Sequence, residues 1–436
     1  MEDVIGSCWK LYKGGVNLGS TSVNVAVVGL GFVGLPLAVH MARHNCVVLG
    51  IDNEQFGNSY IPDVPSDSVK EVMQAKRFSA RLPFGQVGKA DYVIVTVPTP
   101  MDKQNNEPDL RALVSAAEYI AGHLRRGQTV VFESSTYPGT LEEVILPILA
   151  TSGLQAGKDF FLGYSPERID PGNRQFGIRQ IPKVISGLTP ACCKKVQELY
   201  GRLFDTVVPV SSPKVAEMCK LFENIYRFIN ISLVNEMLIL CRKMNISFHE
   251  TLQAAATKPF GFTPFKPGPG IGGHCIPVDP LYFQWRAAQF GLTSRMIEAA
   301  RTVNEEMPKE IASLVTDLLK RPDAPNSQPS VLLLGVAYKK DVSDLRESPA
   351  FEIFALLQEA GFQVTYHDPL IPEMELAGRK HTSIPLTAER LGAADLVVVI
   401  TDHSSFHWDF ISRHSRFILD TRGIYPESHD KVVRWA

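Results

Sequence analysis

The first segment of the chain alternates short β-branched runs with stretches of helical apolar spacing. The runs are VNVAVVGL, CVVLGID, YVIVTV, TVVFESS and FFLGYSPE. Nearly continuous apolar segments separated by helical ones predict the buried strands of a parallel, doubly wound sheet. After Pro213, apolar residues recur at Val215, Met218, Phe222, Ile225, Ile229, Leu233 and Met237, a three-and-four spacing that predicts one long amphipathic helix. The segment RPDAPNSQP, ending at Pro329, reads as a polar, proline-rich linker. Beyond it VLLLGVAY, a helix from about Ser348, VTYHDP and LVVVIT predict a second, smaller α/β domain. The expected division is 1–205, a central helical region 206–325, and 326–436.

Composition narrows the classes. A chain of 436 residues, 45% of them apolar, can bury several cores. Its 44 basic and 46 acidic residues leave a net charge of −2, which gives no broad attraction to nucleic acid or to a membrane surface. The cysteines Cys8, Cys46, Cys192, Cys193, Cys219, Cys241 and Cys275 are scattered, with neither zinc-ligand spacing nor a disulfide framework, and suggest a reducing cytoplasm. MEDVIGSCWKLYKGG carries no apolar core of the kind an export signal needs. Residues 25–39 are uncharged but interrupted by Gly29, Gly31, Gly34 and Pro36, and fall short of the roughly 20 residues that span a bilayer. No metal is expected, because the His and Asp residues show no ligand spacing.

Candidate chemistry begins at Gly29-x-Gly31-x-x-Gly34, which follows one predicted strand and opens a helix. Glycines allow a tight turn and close approach of a pyrophosphate to backbone N–H groups at the helix start. Asp52 ends the next strand, where a carboxylate accepts from a ribose 2′-hydroxyl and repels a 2′-phosphate, so NAD is the expected cofactor. The fold expected is therefore two Rossmann-like doubly wound parallel-sheet domains joined by a long central helix. A ligand-free glycine turn is the competing reading, and the motif alone fits any dehydrogenase.

The middle of the chain discriminates further. Phe265-Lys-Pro-Gly-Pro-Gly-Ile-Gly-Gly-His-Cys275-Ile-Pro-Val-Asp279 puts a thiol and a carboxylate in a glycine-dense loop. Cys275 could be an exposed nucleophile if His274, a cation or a helix terminus favours its thiolate; otherwise it is a small buried thiol. An aldehyde yields no second hydride until a nucleophile adds to it, so a thiol beside a dinucleotide site has a use. Lys220 and Asn224 are four apart and share a helix face, as an alkoxide-binding pair or as a solvated edge. Tyr338, Lys339 and Lys340 follow a strand, where ligands of open α/β sheets bind, and Lys339 suits a diphosphate. Arg346 suits a pyrophosphate or carboxamide. No glycine fingerprint stands there, so a second dinucleotide site is not expected.

Taken together, Gly29-x-Gly31-x-x-Gly34, Pro98-Thr99-Pro100, Glu133-Ser-Ser-Thr136, Ser165-Pro166-Glu167-Arg168, Glu217-x-x-Lys220-x-x-x-Asn224, Gly272-Gly273-His274-Cys275 and Lys339-x-x-x-x-Asp344-x-Arg346-Glu347-Ser348 resemble the UDP-glucose/UDP-N-acetylhexosamine 6-dehydrogenase family, from about residue 23 to 425. The resemblance implies an NAD-dependent oxidation of a UDP-sugar C6 alcohol to a carboxylate. It implies that Cys275 forms a thiohemiacetal and then a thioester, that Glu167 handles the proton of the hydrolytic water, and that Thr136 helps position that water and the nicotinamide. Lys220 and Asn224 would hold an alkoxide, with Asp279 assisting the first proton abstraction. Cofactor contacts would come from Phe32, Val33, Pro98, Thr99, Thr136 and Arg346 beside the glycine turn and Asp52. Substrate contacts would come from Glu167, Arg168, Lys220, Asn224, Phe265, Gly272, His274, Tyr338 and Lys339. Lys258-Pro-Phe-Gly-Phe-Thr-Pro-Phe265, Arg168-Ile-Asp-Pro-Gly172 and His274-Cys-Ile-Pro-Val-Asp-Pro280 look most like the UDP-N-acetylglucosamine branch, with Val278 where UDP-glucose dehydrogenases often carry lysine. UDP-N-acetylmannosamine and UDP-glucose remain alternative substrates. A simple hydroxyacid dehydrogenase, which leaves Cys275 without purpose, and a non-catalytic NAD- or UDP-sugar-binding regulator are the rival functions. The central helix could support a homodimer, or its stripe could be covered within one chain.

Overall fold

The computed structural model describes residues 12–13, 22–52, 64, 66–80, 86–102, 105, 107–169, 175–320, 328–425 and 429–435. The opening segment with Cys8, residues 170–172 of the Arg168–Gly172 motif, and most of the expected linker lie outside them. The chain divides into two compact units, Met1–Glu223 with Leu281–Leu292, and Asn224–Pro280 with Thr293–Ala436.

The first unit is built on a nine-stranded sheet. Its strands are β1 (Tyr12–Lys13), β2 (Val23–Val28), β3 (Cys46–Ile51), β4 (Phe78–Ala80), β5 (Tyr92–Val95), β6 (Thr129–Phe132), β7 (Phe161–Tyr164), β8 (Lys183–Gly187) and β9 (Thr206–Pro209). The order β1-β9-β8-β7-β6-β5-β2-β3-β4 contains the six parallel strands β4-β3-β2-β5-β6-β7, the dinucleotide-binding order with its reversal between β2 and β5. The apolar runs read from the sequence are five of these parallel strands, all but β4; β2, β5 and β6 are covered on both faces, whereas β3 leaves Val47 exposed. Two pairings are antiparallel, β8 with β7 and β1 with β9. On one face, helix α1 (Gly34–Arg43) buries Leu35, Leu37, Ala38 and Met41 against Val25, Val27 and Val48 of the sheet. Full burial of a leucine such as Leu37 is worth about 1.5–3 kcal/mol, so this face of α1 fixes the helix start against the turn. Helix α2 (Pro190–Leu203), capped by the Thr189 hydroxyl on Cys192 N–H, buries Val196, Leu199, Tyr200 and Leu203 in the same core.

The second unit has a five-stranded, all-parallel sheet of β10 (Ser330–Leu334), β11 (Gln363–His367), β12 (Leu396–Val399), β13 (Ile418–Asp420) and β14 (Val432–Arg434). Its order β11-β10-β12-β13-β14 is the other common doubly wound pattern, reversing between β10 and β12. Val331, Leu333 and Val398 face one buried cluster, and Leu332, Leu334, Val397 and Val399 the other.

Helix α3 (Pro213–Lys243) is the long helix expected after Pro213. Its apolar stripe is divided, however. Ala216, Leu221, Ile225, Phe228 and Leu238 are each buried, whereas Phe222 is 62% and Leu233 49% exposed. The periodic signal came from two adjoining faces, because the positions facing inward include Ser232 and Asn235, which a hydropathy pattern passes over. No helix among the described residues is long and apolar enough to cross a membrane.

Candidate functional site

In the first unit, β2 runs into the glycine turn at the point where strand order reverses. Gly29 sits at φ +92°, a conformation glycine adopts without strain, and its N–H donates to Ile51 O at 2.8 Å. The next N–H, of Leu30, donates to Asp52 Oδ2 at 2.6 Å, so the acid expected from the sequence is seated beside the turn. A Cβ on Gly34 would stand 1.8 Å from Gly29 O and 2.5 Å from Thr96 Oγ1; the start of α1 is pressed directly on the turn. Gly31 differs, because a Cβ there would meet nothing within 4 Å among the described residues. Neither packing nor a positive φ requires that glycine, whereas a backbone approached by a pyrophosphate does. The cradle thus fits a dinucleotide, with Phe32 and Val33 half-buried along it.

The ends of β5 and β6 are tied together here. Ser134 Oγ donates to Val97 O and Thr99 Oγ1 to Ser135 O, each at 2.7 Å, and the Tyr282 hydroxyl donates to Thr99 O. Thr99 contributes backbone placement while its hydroxyl is taken up internally; Pro98 is exposed. Thr136 is buried, and its Oγ1 has no hydrogen-bond partner among the described residues. An unsatisfied buried hydroxyl costs about 1–3 kcal/mol, so a ligand partner would be welcome at this residue.

Glu167 lies behind β7 and is almost completely buried. Its Oε1 accepts from Arg168 N–H and Ile169 N–H, each at 2.7 Å, and its Oε2 from Lys183 Nζ at 2.7 Å. Lys183 equally donates to Glu133 Oε2 at 2.7 Å, and the Tyr200 hydroxyl donates to Glu133 Oε1. Burial pushes Glu133 up to about 7 against the pull of Lys183. At Glu167 burial also acts upward, but Lys183 prevails and holds it down to about 2. The sequence holds no direct sign of the Lys183 and Tyr200 partners; the single signal is a lysine opening the otherwise uncharged strand KVISG. Arg168, expected to meet substrate, turns its guanidinium to Glu223 at 2.5 Å and to Pro182 O at 2.8 Å. Glu217 is buried and accepts from Gly139 N–H at 2.6 Å and Leu141 N–H at 2.9 Å, a helix-start anchor. Lys220 is half-buried on α3.

In the second unit, Asn224 and Asp279, 55 residues apart, meet: Asn224 Nδ2 donates to Asp279 Oδ2 at 2.5 Å, both side chains being buried. Asp279 begins helix α4 (Asp279–Ala288), and its N–H, with that of Val278, returns to Cys275 O. Cys275 itself is exposed, whereas Cys46, Cys192, Cys193, Cys219 and Cys241 are buried or half-buried. The loop before it is pinned at Gly268 N–H by Asn235 Oδ1 and at Ile271 N–H by Asn304 Oδ1, and Gly273 N–H donates to Arg346 O. Gly272 and Gly273 are required by close neighbours: a Cβ on Gly273 would fall 2.6 Å from the Tyr338 ring, and one on Gly272 2.6 Å from Glu347 O and 2.8 Å from Tyr338 Cβ. Phe265 meets Tyr226 edge to face, and Lys339 is half-buried. Burial first, and then Arg346, lower His274, which disfavours an imidazolium beside the thiol. Arg346 forks onto Asp344 at 2.6 Å and also feels the charge of Cys275, so a guanidinium lies within electrostatic reach of the sulfur.

Residues 23–204 match the NAD binding domain of the UDP-glucose/GDP-mannose dehydrogenase family, residues 214–306 its central domain, and residues 332–427 its UDP binding domain. The chain is 38% identical over 391 residues to UDP-N-acetyl-D-glucosamine 6-dehydrogenase of Pseudomonas aeruginosa, covering 88% of this chain and 91% of that one. It is 32% identical over 428 residues to UDP-N-acetyl-D-mannosamine dehydrogenase of Escherichia coli, covering 92% and 99%. The structure of the UDP-D-ManNAc dehydrogenase from Pyrococcus horikoshii superposes with a TM-score of 0.84 at 28% identity, covering 94% of this chain and 98% of that one.

Proposed function

The chain belongs to the UDP-glucose/GDP-mannose dehydrogenase family of NAD-dependent nucleotide-sugar dehydrogenases, and on that premise we propose that it oxidises the C6 alcohol of a UDP-N-acetylhexosamine, UDP-GlcNAc by preference, to the carboxylate. The observation that carries the proposal is the exposure of Cys275 in a loop whose Gly272 and Gly273 are pressed against Tyr338. A thiol kept for packing would be buried; this one is presented at the turn into α4, near a guanidinium, a setting that stabilises a thiolate.

NAD supplies a hydride acceptor for each of the two oxidations. The residues do the rest. In the first oxidation Asn224 and Lys220 stabilise the C6 alkoxide, and Asp279, oriented by Asn224, draws off its proton. The Cys275 thiolate adds to the resulting aldehyde to give a thiohemiacetal, whose second oxidation leaves a thioester. Water then hydrolyses the thioester, its proton going to Glu167, while the Thr136 hydroxyl orients the water. UDP is held by residues 326–436 with Lys339 and Tyr338, and NAD by residues 1–205. The preference for the N-acetylglucosamine sugar rests on the motifs at 258–265 and 274–280 and on the Pseudomonas relative; the Escherichia coli and Pyrococcus relatives favour UDP-ManNAc as the second reading. The product class, a nucleotide-linked uronic acid made in the cytoplasm, suits precursor supply for a surface polysaccharide.

The enzyme acts as a homodimer. Phe222, Tyr226, Leu233, Leu240 and Met244 are exposed at heptad-like intervals along and just past α3, a ridge that a second copy of the same helix would cover. Replacing Phe222 and Leu233 together by Glu is expected to halve the mass seen by light scattering; a variant of unchanged dimeric mass would remove the ridge as the interface, and a monomeric wild type would remove the dimer.

The chemical test is stoichiometric. With UDP-GlcNAc, UDP-ManNAc, UDP-GalNAc and UDP-glucose offered in turn, the preferred sugar yields two NADH per molecule consumed. One NADH would point to a simple alcohol dehydrogenase, and none to a binding protein. Cys275→Ala must lose acid formation; if it retains the full rate, the covalent route is wrong.

A further inference from the structure

Glu167 does not stand alone. Glu133, Glu167 and Lys183 form one buried cluster in which the same ammonium sits 2.7 Å from each carboxylate, with all three side chains at least nine-tenths enclosed. Two carboxylates against one ammonium carry a net negative charge in a place that disfavours it. Were Lys183 paired with Glu167 only, placing a proton on Glu167 would strand a buried ammonium. Because Glu133 faces the same nitrogen, Lys183 keeps an anionic partner when Glu167 is neutralised.

We propose that Glu133, Lys183 and Glu167, held in register by the Tyr200 hydroxyl, form a single proton-accepting unit for thioester hydrolysis, in which Glu133 and Lys183 are positioning residues acting through Glu167. The proposal rests on the reading that Glu167 receives the proton of the hydrolytic water. In that step the water oxygen bonds to the thioester carbonyl carbon, the carbon–sulfur bond breaks, and the electron pair leaves on Cys275 as thiolate. One proton of the water passes to the unit, and the acid product releases the other to solvent.

The groups around the unit are consistent with one titration near neutrality. Burial pushes Glu133 up to about 7, while Lys183 holds Glu167 down to about 2, and the proton gained belongs to the coupled pair. The Tyr200 ring on α2 and the Phe204 ring just past it, each centred 5.4 Å from Lys183 Nζ, close the unit, and Ser165 lies beside the Tyr200 hydroxyl. From α1 comes His40, which burial lowers to about 4, so it stays neutral while the unit titrates. The Arg168 guanidinium is engaged by Glu223.

Decay of the acyl-enzyme, followed by rapid quench and intact mass in the full-length enzyme across pH 5.5–9, tests the proposal. Wild type should lose hydrolysis as pH falls through about 7, where the unit gains its proton. Glu133→Gln leaves a neutral Lys183–Glu167 pair; its acid limb should move down by about one pH unit or more. Its plateau rate should fall by about 10²-fold, and the thioester should accumulate. Tyr200→Phe removes a donor from Glu133 and should move the limb up. Opposite movements are not what lost packing produces, and NAD binding by both variants reports a retained fold. A limb unmoved in Tyr200→Phe, or in a folded Glu133→Gln, overturns the proposal. Glu167→Gln separates the two levels: hydrolysis at the wild-type rate would remove Glu167 as acceptor, whereas a stalled Glu167→Gln with unmoved limbs in the other variants would overturn only the shared unit.

Discussion

The two doubly wound sheets use the same device to opposite ends. Each opening strand runs into a left-handed glycine, Gly29 at φ +92° and Gly335 at φ +77°, and each next strand ends in an aspartate that accepts from the turn. In the first unit Asp52 takes the N–H of Leu30, and the space over Gly31 is open. In the second, Asp368 takes the N–H groups of Val336, Ala337, Leu370 and Ile371, and His403 Nε2 donates to it at 3.1 Å. Where the first turn has Leu30-Gly31, the second has Val336-Ala337, both fully buried. One turn is left for a ligand to complete, and the other is completed by its own chain. This is the physical content behind the missing second glycine fingerprint.

The largest effect should come from the closed turn. Asp368→Ala strands several buried N–H groups and is expected to cost about 4 kcal/mol or more in denaturant unfolding of the full chain. Asp52→Asn should leave stability within about 1 kcal/mol and weaken NAD instead. Equal losses of stability from the two would break the comparison.

Next comes pH, through the helix that the open turn starts. His40 on α1 contacts Leu203 O at 2.8 Å, and burial lowers it from 6.5 to about 4. A group depressed in the fold contributes stability fully above its unfolded value and loses it as pH falls towards the folded one. Wild type should therefore lose up to roughly 3 kcal/mol between pH 6.5 and 4 from this residue, and His40→Gln correspondingly less, measured by denaturation at each pH. Parallel curves for the two proteins would dismiss the assignment.

The smallest change sharpens the comparison most. Gly31→Ala should alter stability by no more than about 0.5 kcal/mol, because no described residue lies within 4 Å of the added Cβ, yet weaken NAD by about tenfold in calorimetry. Gly335→Ala, whose Cβ would stand 2.3 Å from Thr401 O, should do the reverse and lower stability.

The sequence made the scaffold legible where one chemical property dominates. The strands through Ala26, Ile94 and Val131 are apolar because both faces are covered, and Gly29, Gly34 and Asp52 sit within one local unit whose geometry depends little on the rest of the chain. Properties decided by distant partners did not show. The pairing of Asn224 with Asp279 spans 55 residues, and the burial of Lys183 depends on two carboxylates from other strand ends. The return of β8 antiparallel to β7 follows no alternation that the strand itself displays. The outward turn of Phe222 and Leu233 was equally hidden, since periodicity reports that a face is apolar and says nothing of what covers it.

Thr136 carries its own implication. The chain folds around a hydroxyl that finds no hydrogen-bond partner among the described residues, a small, localised frustration shared only with Arg202 Nε, Asn235 Nδ2 and Trp435 Nε1 among their buried side-chain polar atoms. Folding alone leaves that spot unsettled, and whatever molecule docks there finishes the job. Amide exchange in the 134–137 segment should accordingly be quickest in the empty protein and slow first as ligand is added.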